Sequence, residues 1–301
     1  MKKDGKYCGV VVPMVTPVTS DGKIDVEAVA RIVKTFVDAN VSPLLMGTTG
    51  EGNSVSSELG HVLVEATVKA AEGKVTVYAG LTGTCIDEQV RQAKDYAALG
   101  ADVIVATLPS YYALTDEQMV DYYTYIADNC PLPFMLYNIK ATTHMSIPVE
   151  VIKKLSEHPN IVGLKDSERD LERMDQCVEI AKKNPSFAYF CGWAAQSAHC
   201  IEIGGDGFVP STGNFVPGMF AELYDAAVAG DMETANRLQA ETDEIAKVYQ
   251  AGRLLGQSLT ALKVMMHTRG LCSPEMLRPL TRLPLEEEKA IAAKAMEIKN
   301  K

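Results

Sequence analysis

The stretch Ile161-Val162-Gly163-Leu164-Lys165-Asp166-Ser167 combines the pattern of a buried strand with a lysine at its end. Four mostly apolar residues precede Lys165, and a polar turn follows it. A short apolar run of this kind is typical of a parallel strand buried on both faces. Because burial disfavours an ammonium, it lowers the lysine pKa toward an amine that can attack carbonyls. The run alone also fits a lysine whose head reaches solvent.

Composition limits the possible functions of the chain. The 301 residues carry a formal net charge of −10 and are 47% hydrophobic, which favours a large core and disfavours binding to nucleic acid or a membrane surface. No apolar stretch approaches the roughly 18 residues of a membrane span. The charged start is not followed by the apolar region of a secretory signal. Seven scattered cysteines without a C-x-x-C pair suggest buried thiols in a reducing cytoplasm.

Short β-rich runs alternate with amphipathic stretches along the first 230 residues. The predicted strands are 9–15, 44–46, 75–79, 102–106, 134–137, 161–167, 187–191 and 207–210. The predicted helices are 25–39, 57–71, 86–99, 116–129, one that begins near Pro148, 171–183, 194–203 and one that begins at Pro217. Eight such units predict an α/β fold, a closed (β/α)8 TIM barrel.

The remainder of the chain has a helical pattern. Helices are expected over 231–250, 253–269 and 285–299, with prolines in the connections. We therefore divide the chain into a barrel catalytic domain, residues 1–230, and a C-terminal helical extension packed on it, residues 231–301. An oligomer contact is the alternative role for this extension.

Residues capable of chemistry recur at the carboxyl ends of the strands, where active sites of this fold lie. Thr48 and Thr49 follow the second strand, Tyr111 follows the fourth, Tyr137 ends the fifth and Lys165 ends the sixth. Tyr137 and Lys165 are one βα unit apart, so we expect them on neighbouring strands. A tyrosine beside a desolvated lysine is a suitable proton shuttle for imine formation.

The loop Gly47-Thr48-Thr49-Gly50-Glu51-Gly52 offers successive backbone N–H groups before a helix, a site suited to a carboxylate. A phosphate is the rival ligand. A nucleotide is disfavoured because the loop lacks the Walker lysine and the Rossmann spacing. Glu51 is expected to cap the following turn and orient the loop.

Metal chemistry is not indicated. The five histidines show no ligand spacing, and of these we place only His144 at the active rim, where it could touch substrate. We therefore predict neither a metal nor another cofactor, which agrees with a lysine that acts through an imine.

Five motifs in this order and spacing resemble the dihydrodipicolinate synthase / N-acetylneuraminate lyase family of pyruvate-dependent Schiff-base aldolases. The resemblance covers nearly the whole chain, including the C-terminal helices. The motifs are Gly47-Thr48-Thr49-Gly50-Glu51, Pro109-x-Tyr111-Tyr112, Tyr137-Asn138, Gly163-Leu164-Lys165-Asp166 and Gly207-x-Val209-x-Ser211.

The resemblance implies a role for each catalytic candidate. Lys165 would attack the keto carbon of pyruvate or of another 2-keto acid, and Tyr137 would serve as general acid and base. Thr48 would link Tyr137 to Tyr111. In this family Tyr111 is typically supplied by a neighbouring subunit, which implies a homo-oligomer, usually a tetramer.

Two further residues would contact substrate. The resemblance implies that Thr49 and the adjacent backbone hold the pyruvate carboxylate. It also places the carbonyl of Val209 near the enamine and the aldehyde that it attacks.

The second substrate is where the pattern departs from relatives. Dihydrodipicolinate synthases usually carry an arginine at the position of Thr142 and a proline at that of Lys140. A hydroxyl does not replace a bidentate guanidinium, although Lys140 offers a charge from a different angle. Sialic acid lyases usually carry acidic residues where this chain has Trp193-Ala194-Ala195, so sialic acid is disfavoured. Trp193 is either a core residue or an apolar wall of the site.

We therefore interpret the chain as a Schiff-base lyase or aldolase. It would act on pyruvate or a 2-keto-3-deoxy sugar acid, with Thr142, Thr143 and Ser211 available to bond a hydroxylated chain. Dihydrodipicolinate synthase, which condenses pyruvate with aspartate semialdehyde, is the leading alternative. A non-catalytic 2-keto-acid-binding barrel and a phosphate-binding barrel enzyme, with Ser211-Thr212-Gly213-Asn214 as its phosphate loop, are the alternatives of another class.

Overall fold

The structure, a computed structural model, describes residues 7–298 and has eight parallel strands at its centre. The strands are β1 (Gly9–Pro13), β2 (Ser42–Leu45), β3 (Tyr78–Gly80), β4 (Val103–Thr107), β5 (Phe134–Asn138), β6 (Ile161–Asp166), β7 (Ala188–Cys191) and β8 (Gly207–Phe208). Each strand pairs with the next along the chain, and β8 pairs with β1, so the sheet closes. The predicted (β/α)8 TIM barrel is confirmed.

Helices follow the strands as the alternating pattern predicts. The described residues contain α1 (Val26–Asp38), α2 (Ser57–Ala71), α3 (Ile86–Ala98), α4 (Asp116–Asn129), α5 (Lys140–Thr143), α6 (Val149–Leu155), α7 (Leu171–Lys183), α8 (Ser197–Glu202), α9 (Pro217–Ala229), α10 (Met232–Gln250), α11 (Leu255–His267) and α12 (Leu285–Glu297). The bounds of α2, α4 and α7 coincide with the prediction. Side-chain caps fix such starts: Asp25, Ser56 and Thr115 each accept a bond from a backbone N–H of the first turn.

Several predicted bounds differ from the structure, and in two cases side-chain or backbone bonds explain the difference. The third strand is β3, Tyr78–Gly80, rather than 75–79. The backbone N–H of Val77 donates to the Asp102 carboxylate, so a side chain takes the place of a strand partner there. The stretch between β5 and Pro148, where no helix was predicted, contains α5, in which the backbone N–H groups of Thr142 and Thr143 both donate to the Ile139 carbonyl. Bonds of this kind depend on local geometry that apolar periodicity does not report.

Apolar side chains form one cluster inside the barrel and another between the sheet and the helices. The inner cluster includes Val11, Leu44, Val105, Met135 and Phe190. The outer cluster takes the apolar faces of the helices. Because strand residues alternate between the two clusters, a residue at the end of a strand either enters the barrel mouth or packs beneath a helix.

The C-terminal helices include one that is buried on all sides. Every residue of α11 from Ser258 to Met266 is buried, Lys263 among them. A helix buried all round is part of a core rather than a surface layer. The division of the chain into domains at residue 230 stays a prediction. Within residues 7–298, no helix is both long enough and apolar enough to cross a membrane.

Candidate active site

Tyr137 and Lys165 occupy paired positions on β5 and β6. This pairing confirms that the two residues lie on neighbouring strands. Lys165 is only 3% exposed, and its Nζ lies 3.7 Å from the centroid of the Tyr137 ring. The amine is therefore held against an aromatic face inside the barrel mouth, out of contact with bulk water.

The surroundings of this pair shift both pKa values. Burial lowers the pKa of Lys165, and the smaller opposing effect of Tyr137 does not cancel it. Burial raises the pKa of Tyr137, but the charge of Lys165 and hydrogen bonds from Thr48, Ser167 and Lys165 together bring it below its ordinary value. The downward shift of Lys165 favours the neutral amine, the form that attacks carbonyls. The downward shift of Tyr137 favours transfer of its proton to a reacting oxygen.

Thr48 extends the pair toward solvent. Its hydroxyl lies 3.3 Å from the Tyr137 hydroxyl. Both residues line a cavity of about 400 Å³, whose remaining wall comes partly from the C-terminal helices. The polar lining includes Asn53, Ser54, Thr107 and Thr142. Lys165 does not line this cavity, but its amine contacts the ring of Tyr137, which does.

The other predicted site residues are placed differently. Thr49 is 8% exposed on the loop that follows β2. Val209 packs in the inner cluster, and its backbone N–H donates to the Cys191 carbonyl. Tyr111 is 81% exposed, and its ring contacts Tyr112 with centroids 4.9 Å apart. The described chain thus brings Lys165, Tyr137 and Thr48 together but leaves Tyr111 facing outward.

A buried polar network lies directly behind the pair. Asp166 accepts bonds from the Nε of Arg173 at 2.7 Å and from the side chain of Asn138 at 2.8 Å. Burial raises the pKa of Asp166, although Arg173 and Asn138 oppose this shift. Because Asn138 follows Tyr137 and Asp166 follows Lys165, the network joins the ends of β5 and β6. The motifs Tyr137-Asn138 and Lys165-Asp166 contained this signal, but the sequence analysis assigned no role to the second member of either.

Ser167 was also missed as a partner of the site. Its side chain is one of the groups that lower the pKa of Tyr137. A Cβ at position 192 would collide with Ser167 Oγ, so Gly192 provides the space for this hydroxyl. The sequence shows a serine two residues after Lys165, but only the closed sheet shows that it faces Tyr137.

Glu51 does not cap the turn that follows it, contrary to the prediction. No side-chain bond caps that turn. The Glu51 carboxylate instead lies 2.5 Å from the ammonium of Lys263 in α11, and both side chains are fully buried or nearly so. The signal for this pair was a lone lysine within the apolar run of α11.

Lys140 and Thr142 differ in their access to the cavity. Thr142 lines it. Lys140 has a side chain that is 60% exposed, and its Nζ lies 3.6 Å from the Glu168 carboxylate. Among the described residues that line the cavity, none has a cationic side chain. The position that carries arginine in dihydrodipicolinate synthases is thus occupied here by a neutral hydroxyl group.

Two hydroxyls expected to face substrate are used inside the protein. Ser211 lies 2.6 Å from the hydroxyl of Tyr249, and Thr143 donates to backbone carbonyls. In the candidate phosphate loop, Thr212 also contacts Tyr249, and the Asn214 amide bonds to the backbone of β1 and its loop. These side chains hold the loop in place, which disfavours a phosphate site there.

His144 and Trp193 lie away from the cavity lining. His144 is exposed and ends α5 in a left-handed conformation. Trp193 is half-buried and packs against the outer cluster, which favours the core alternative for this residue.

Comparison with known proteins agrees with this geometry. The model of the dihydrodipicolinate synthetase family matches residues 6–298. A 4-hydroxy-tetrahydrodipicolinate synthase from Gluconobacter oxydans is 31% identical over 97% of both chains. A probable 2-dehydro-3-deoxy-D-pentonate aldolase from Escherichia coli is 30% identical over 81% of this chain and 82% of its own. The chloride-inhibited dihydrodipicolinate synthase from Acinetobacter baumannii, solved with pyruvate, is 26% identical with a TM-score of 0.86, over 97% of this chain and 99% of its own.

We predict that Lys165 reacts with small electrophiles at lower pH than an ordinary lysine. Only the free amine attacks, so the rate rises with pH around the Lys165 pKa. The midpoint of this rise should lie below about 10.4, the ordinary lysine pKa. Mass spectrometry of the Lys165 peptide after brief reductive methylation, repeated across pH, measures this midpoint. Tyr137→Phe should move the midpoint further down, because Tyr137 raises the pKa of Lys165. An upward movement in that variant would contradict the assigned interaction.

Proposed function

The chain belongs to the dihydrodipicolinate synthetase family and is a lyase of the aldolase type, and we propose that Lys165 forms its Schiff base with pyruvate or a 2-keto-3-deoxy sugar acid. The observation that carries this proposal is the buried Lys165 amine, 3.7 Å from the centroid of the Tyr137 ring. The pyruvate bound to the A. baumannii relative supports the choice of 2-keto acid. Simple binding of a keto acid does not need a desolvated amine, which disfavours a non-catalytic barrel.

The residues present can perform each proton transfer of such a reaction. The Lys165 nitrogen adds to the keto carbon, and Tyr137 gives a proton to the oxygen, which leaves as water. The resulting cationic imine withdraws electrons from the neighbouring carbon. In cleavage, Tyr137 takes the proton of the hydroxyl one carbon further on, the C–C bond breaks, an aldehyde leaves and an enamine remains. Protonation and hydrolysis of the enamine release pyruvate, and condensation is the reverse.

The substrate carboxylate and the enamine need their own contacts. We assign the carboxylate to Thr49 and the backbone of its loop, and we place the reacting carbons near the carbonyl of Val209. Both residues belong to loops at the carboxyl ends of strands, where ligands of this fold bind.

The aldehyde in this proposal is neutral and hydroxylated. Hydroxyl and amide groups of Thr48, Asn53, Thr107 and Thr142 line the cavity, and the described lining has no cationic side chain for a second carboxylate. Hydroxyls pair well with such groups, whereas an unpaired carboxylate would lose its hydration without compensation. The E. coli relative named as a 2-dehydro-3-deoxy-D-pentonate aldolase has a substrate of this class by its name.

Dihydrodipicolinate synthase activity is the second candidate. It is favoured by the names of relatives such as the G. oxydans enzyme. It is disfavoured by Thr142 at the arginine position and by the contact of Lys140 with Glu168. Aspartate semialdehyde would then lack a bidentate partner for its carboxylate.

We also propose a cytoplasmic homotetramer built from a barrel domain, residues 1–230, and a C-terminal extension, residues 231–301. The exposure of Tyr111 (81%) and Tyr112 (72%) beside the mouth of the barrel supports a subunit contact there. In such a contact, Tyr111 of one subunit would reach Thr48 of another. The cysteines form no disulfide in the described residues, which supports a reducing compartment.

Borohydride reduction in the presence of pyruvate should attach pyruvate covalently to the wild-type protein. Intact mass measures the adduct, and peptide mapping should place it on Lys165. Lys165→Ala should form none, and Tyr137→Phe should form it about 100-fold more slowly because its acid–base group is missing. Lys140→Ala is the matched control, since it removes a lysine from the same rim and should react like the wild type. Absence of an adduct in folded wild type would overturn the proposed function.

Thr142→Arg should shift aldehyde preference toward aspartate semialdehyde. A charge-assisted bidentate bond of about 1.5–3 kcal/mol corresponds to a gain of roughly 10- to 100-fold in relative kcat/KM. Steady-state rates with glyceraldehyde and aspartate semialdehyde measure the preference. Thr142→Lys is the control, because a point charge lacks the fork geometry and should give a smaller shift. A wild-type preference for aspartate semialdehyde would move the synthase candidate to first place.

Mixing inactive Lys165→Ala with inactive Tyr111→Phe should restore activity if Tyr111 acts across a two-fold interface. Half of the randomly formed pairs are hybrids, and each hybrid has one intact site, so activity should return to about a quarter of wild type. Subunits are exchanged under mild denaturant and assayed after refolding. Re-association of each variant alone is the control. No recovery in demonstrated hybrids would place Tyr111 outside the site.

A further inference from the structure

We propose that Glu51 and Lys263 are positioning residues, through which the C-terminal helix α11 holds the Thr48 hydroxyl on Tyr137; this inference rests on the proposed function. It makes the C-terminal segment part of the catalytic apparatus, beyond its contribution to the wall of the cavity. The argument starts from the loop of residues 47–52, which carries Thr48 and Thr49.

The loop is tight on its barrel side. The backbone N–H of Gly52 donates to the Gly47 carbonyl, and the backbone N–H of Glu51 donates to the Thr48 carbonyl. The hydroxyl of Thr16 donates to the Gly50 carbonyl at 2.5 Å. Glu51 has a φ of 55°, in the left-handed region that is unfavourable for residues other than glycine. The loop therefore needs contacts that compensate for this conformation.

Those contacts come from the C-terminal segment. One oxygen of the Glu51 carboxylate lies 2.5 Å from Lys263 Nζ, and the other accepts the backbone N–H of Leu277 at 2.8 Å. Lys263 also donates to the Glu275 carbonyl at 2.8 Å. Side-chain exposure is 1% for Lys263 and 0% for Glu51. The carboxylate is thus held from two directions by groups more than 200 positions away in the chain.

The chemistry of this contact points to geometry rather than to stability. A buried ion pair pays a desolvation penalty that can cancel its attraction, so apolar residues of similar volume often serve stability equally well. What apolar contacts lack is direction. A carboxylate that accepts the Leu277 N–H with one oxygen and pairs with the Lys263 ammonium through the other restricts the placement of Glu51, and through the Glu51–Thr48 turn it restricts Thr48. The 3.3 Å contact between Thr48 and Tyr137 depends on that placement.

The double variant Glu51→Gln/Lys263→Met removes both charges while it nearly keeps the volumes. In D2O, deuterium replaces the methyl protons of pyruvate through the enamine, and proton NMR follows the loss of the methyl signal. This exchange measures proton transfer at the imine without any aldehyde. We expect exchange to fall between about 10- and 100-fold, as for a small misplacement of a catalytic group. Borohydride should still trap pyruvate on Lys165 to completion, because Lys165 is unchanged, although the adduct should form more slowly.

Arg253→Met/Glu287→Gln is the matched control. This pair, at 2.8 Å, joins the loop after α10 to α12 and does not contact the barrel loop of residues 47–52. Both double variants are compared at a temperature where circular dichroism shows each to be folded. Retained exchange in the control with reduced exchange in Glu51→Gln/Lys263→Met supports the inference. Exchange within twofold of wild type in the folded Glu51→Gln/Lys263→Met protein would overturn it.

The same measurements also cover a double variant that does not fold and a failure of the proposed function. If Glu51→Gln/Lys263→Met does not fold, Glu51→Asp replaces it, since this variant keeps both charges and shortens the carboxylate by one methylene. An exchange loss of about tenfold with intact trapping supports the inference, and unchanged exchange overturns it. If wild type neither traps pyruvate nor exchanges its protons, the proposed function itself fails.

Discussion

Burial of one amine is the constraint on which the rest of this structure depends. An ammonium is poorly stabilised among apolar groups, so exclusion of water around Lys165 favours its neutral amine, the form that the proposed reaction needs. The inner cluster and the closure of β8 on β1 provide that exclusion. Tyr137 supplies the aromatic face and the hydroxyl that the amine needs in place of water. The barrel is therefore the means by which an ordinary lysine acquires an unusual environment.

Two buried ion pairs adjoin the proposed catalytic residues. Asp166, which pairs with Arg173 of α7 and accepts a bond from Asn138, joins the ends of β5 and β6. Glu51 and Lys263 hold the threonine loop from the side of α11. Buried charges are costly, and each of these is compensated by a partner at close distance. Directional bonds of this kind give the site a single geometry, which apolar packing would fix less strictly.

The cavity separates the common part of the chemistry from the specific part. In the proposed reaction, Lys165, Tyr137 and Thr48 act on the keto acid and would serve any aldehyde. Thr142 lines the cavity, where we propose that the other substrate binds. A single change from a guanidinium to a hydroxyl alters which charge the wall can stabilise, without any change in the fold. Family membership therefore fixes the reaction class more firmly than the second substrate.

Much of the fold and of the catalytic pair was predictable from local patterns. Apolar periodicity and capping residues such as Asp25 and Ser56 depend on near neighbours in the chain, and α2, α4 and α7 have their predicted bounds. The alternation of strands and helices required a parallel sheet, and this sheet placed Tyr137 beside Lys165. Predictions failed where bonding partners are distant. Examples are β3, whose start depends on Asp102, and Ser211, whose hydroxyl is taken by Tyr249.

The sequence by itself determined the barrel, the strand that carries the lysine and the residues able to form an imine, because these follow from periodicity and order along the chain. Only the tertiary structure decided that Glu51 forms an ion pair with Lys263, that Lys140 lies near Glu168 and that Thr142 lines the cavity. The direction of a side chain and the identity of its partner depend on the closed sheet and its packed helices. A linear pattern contains neither.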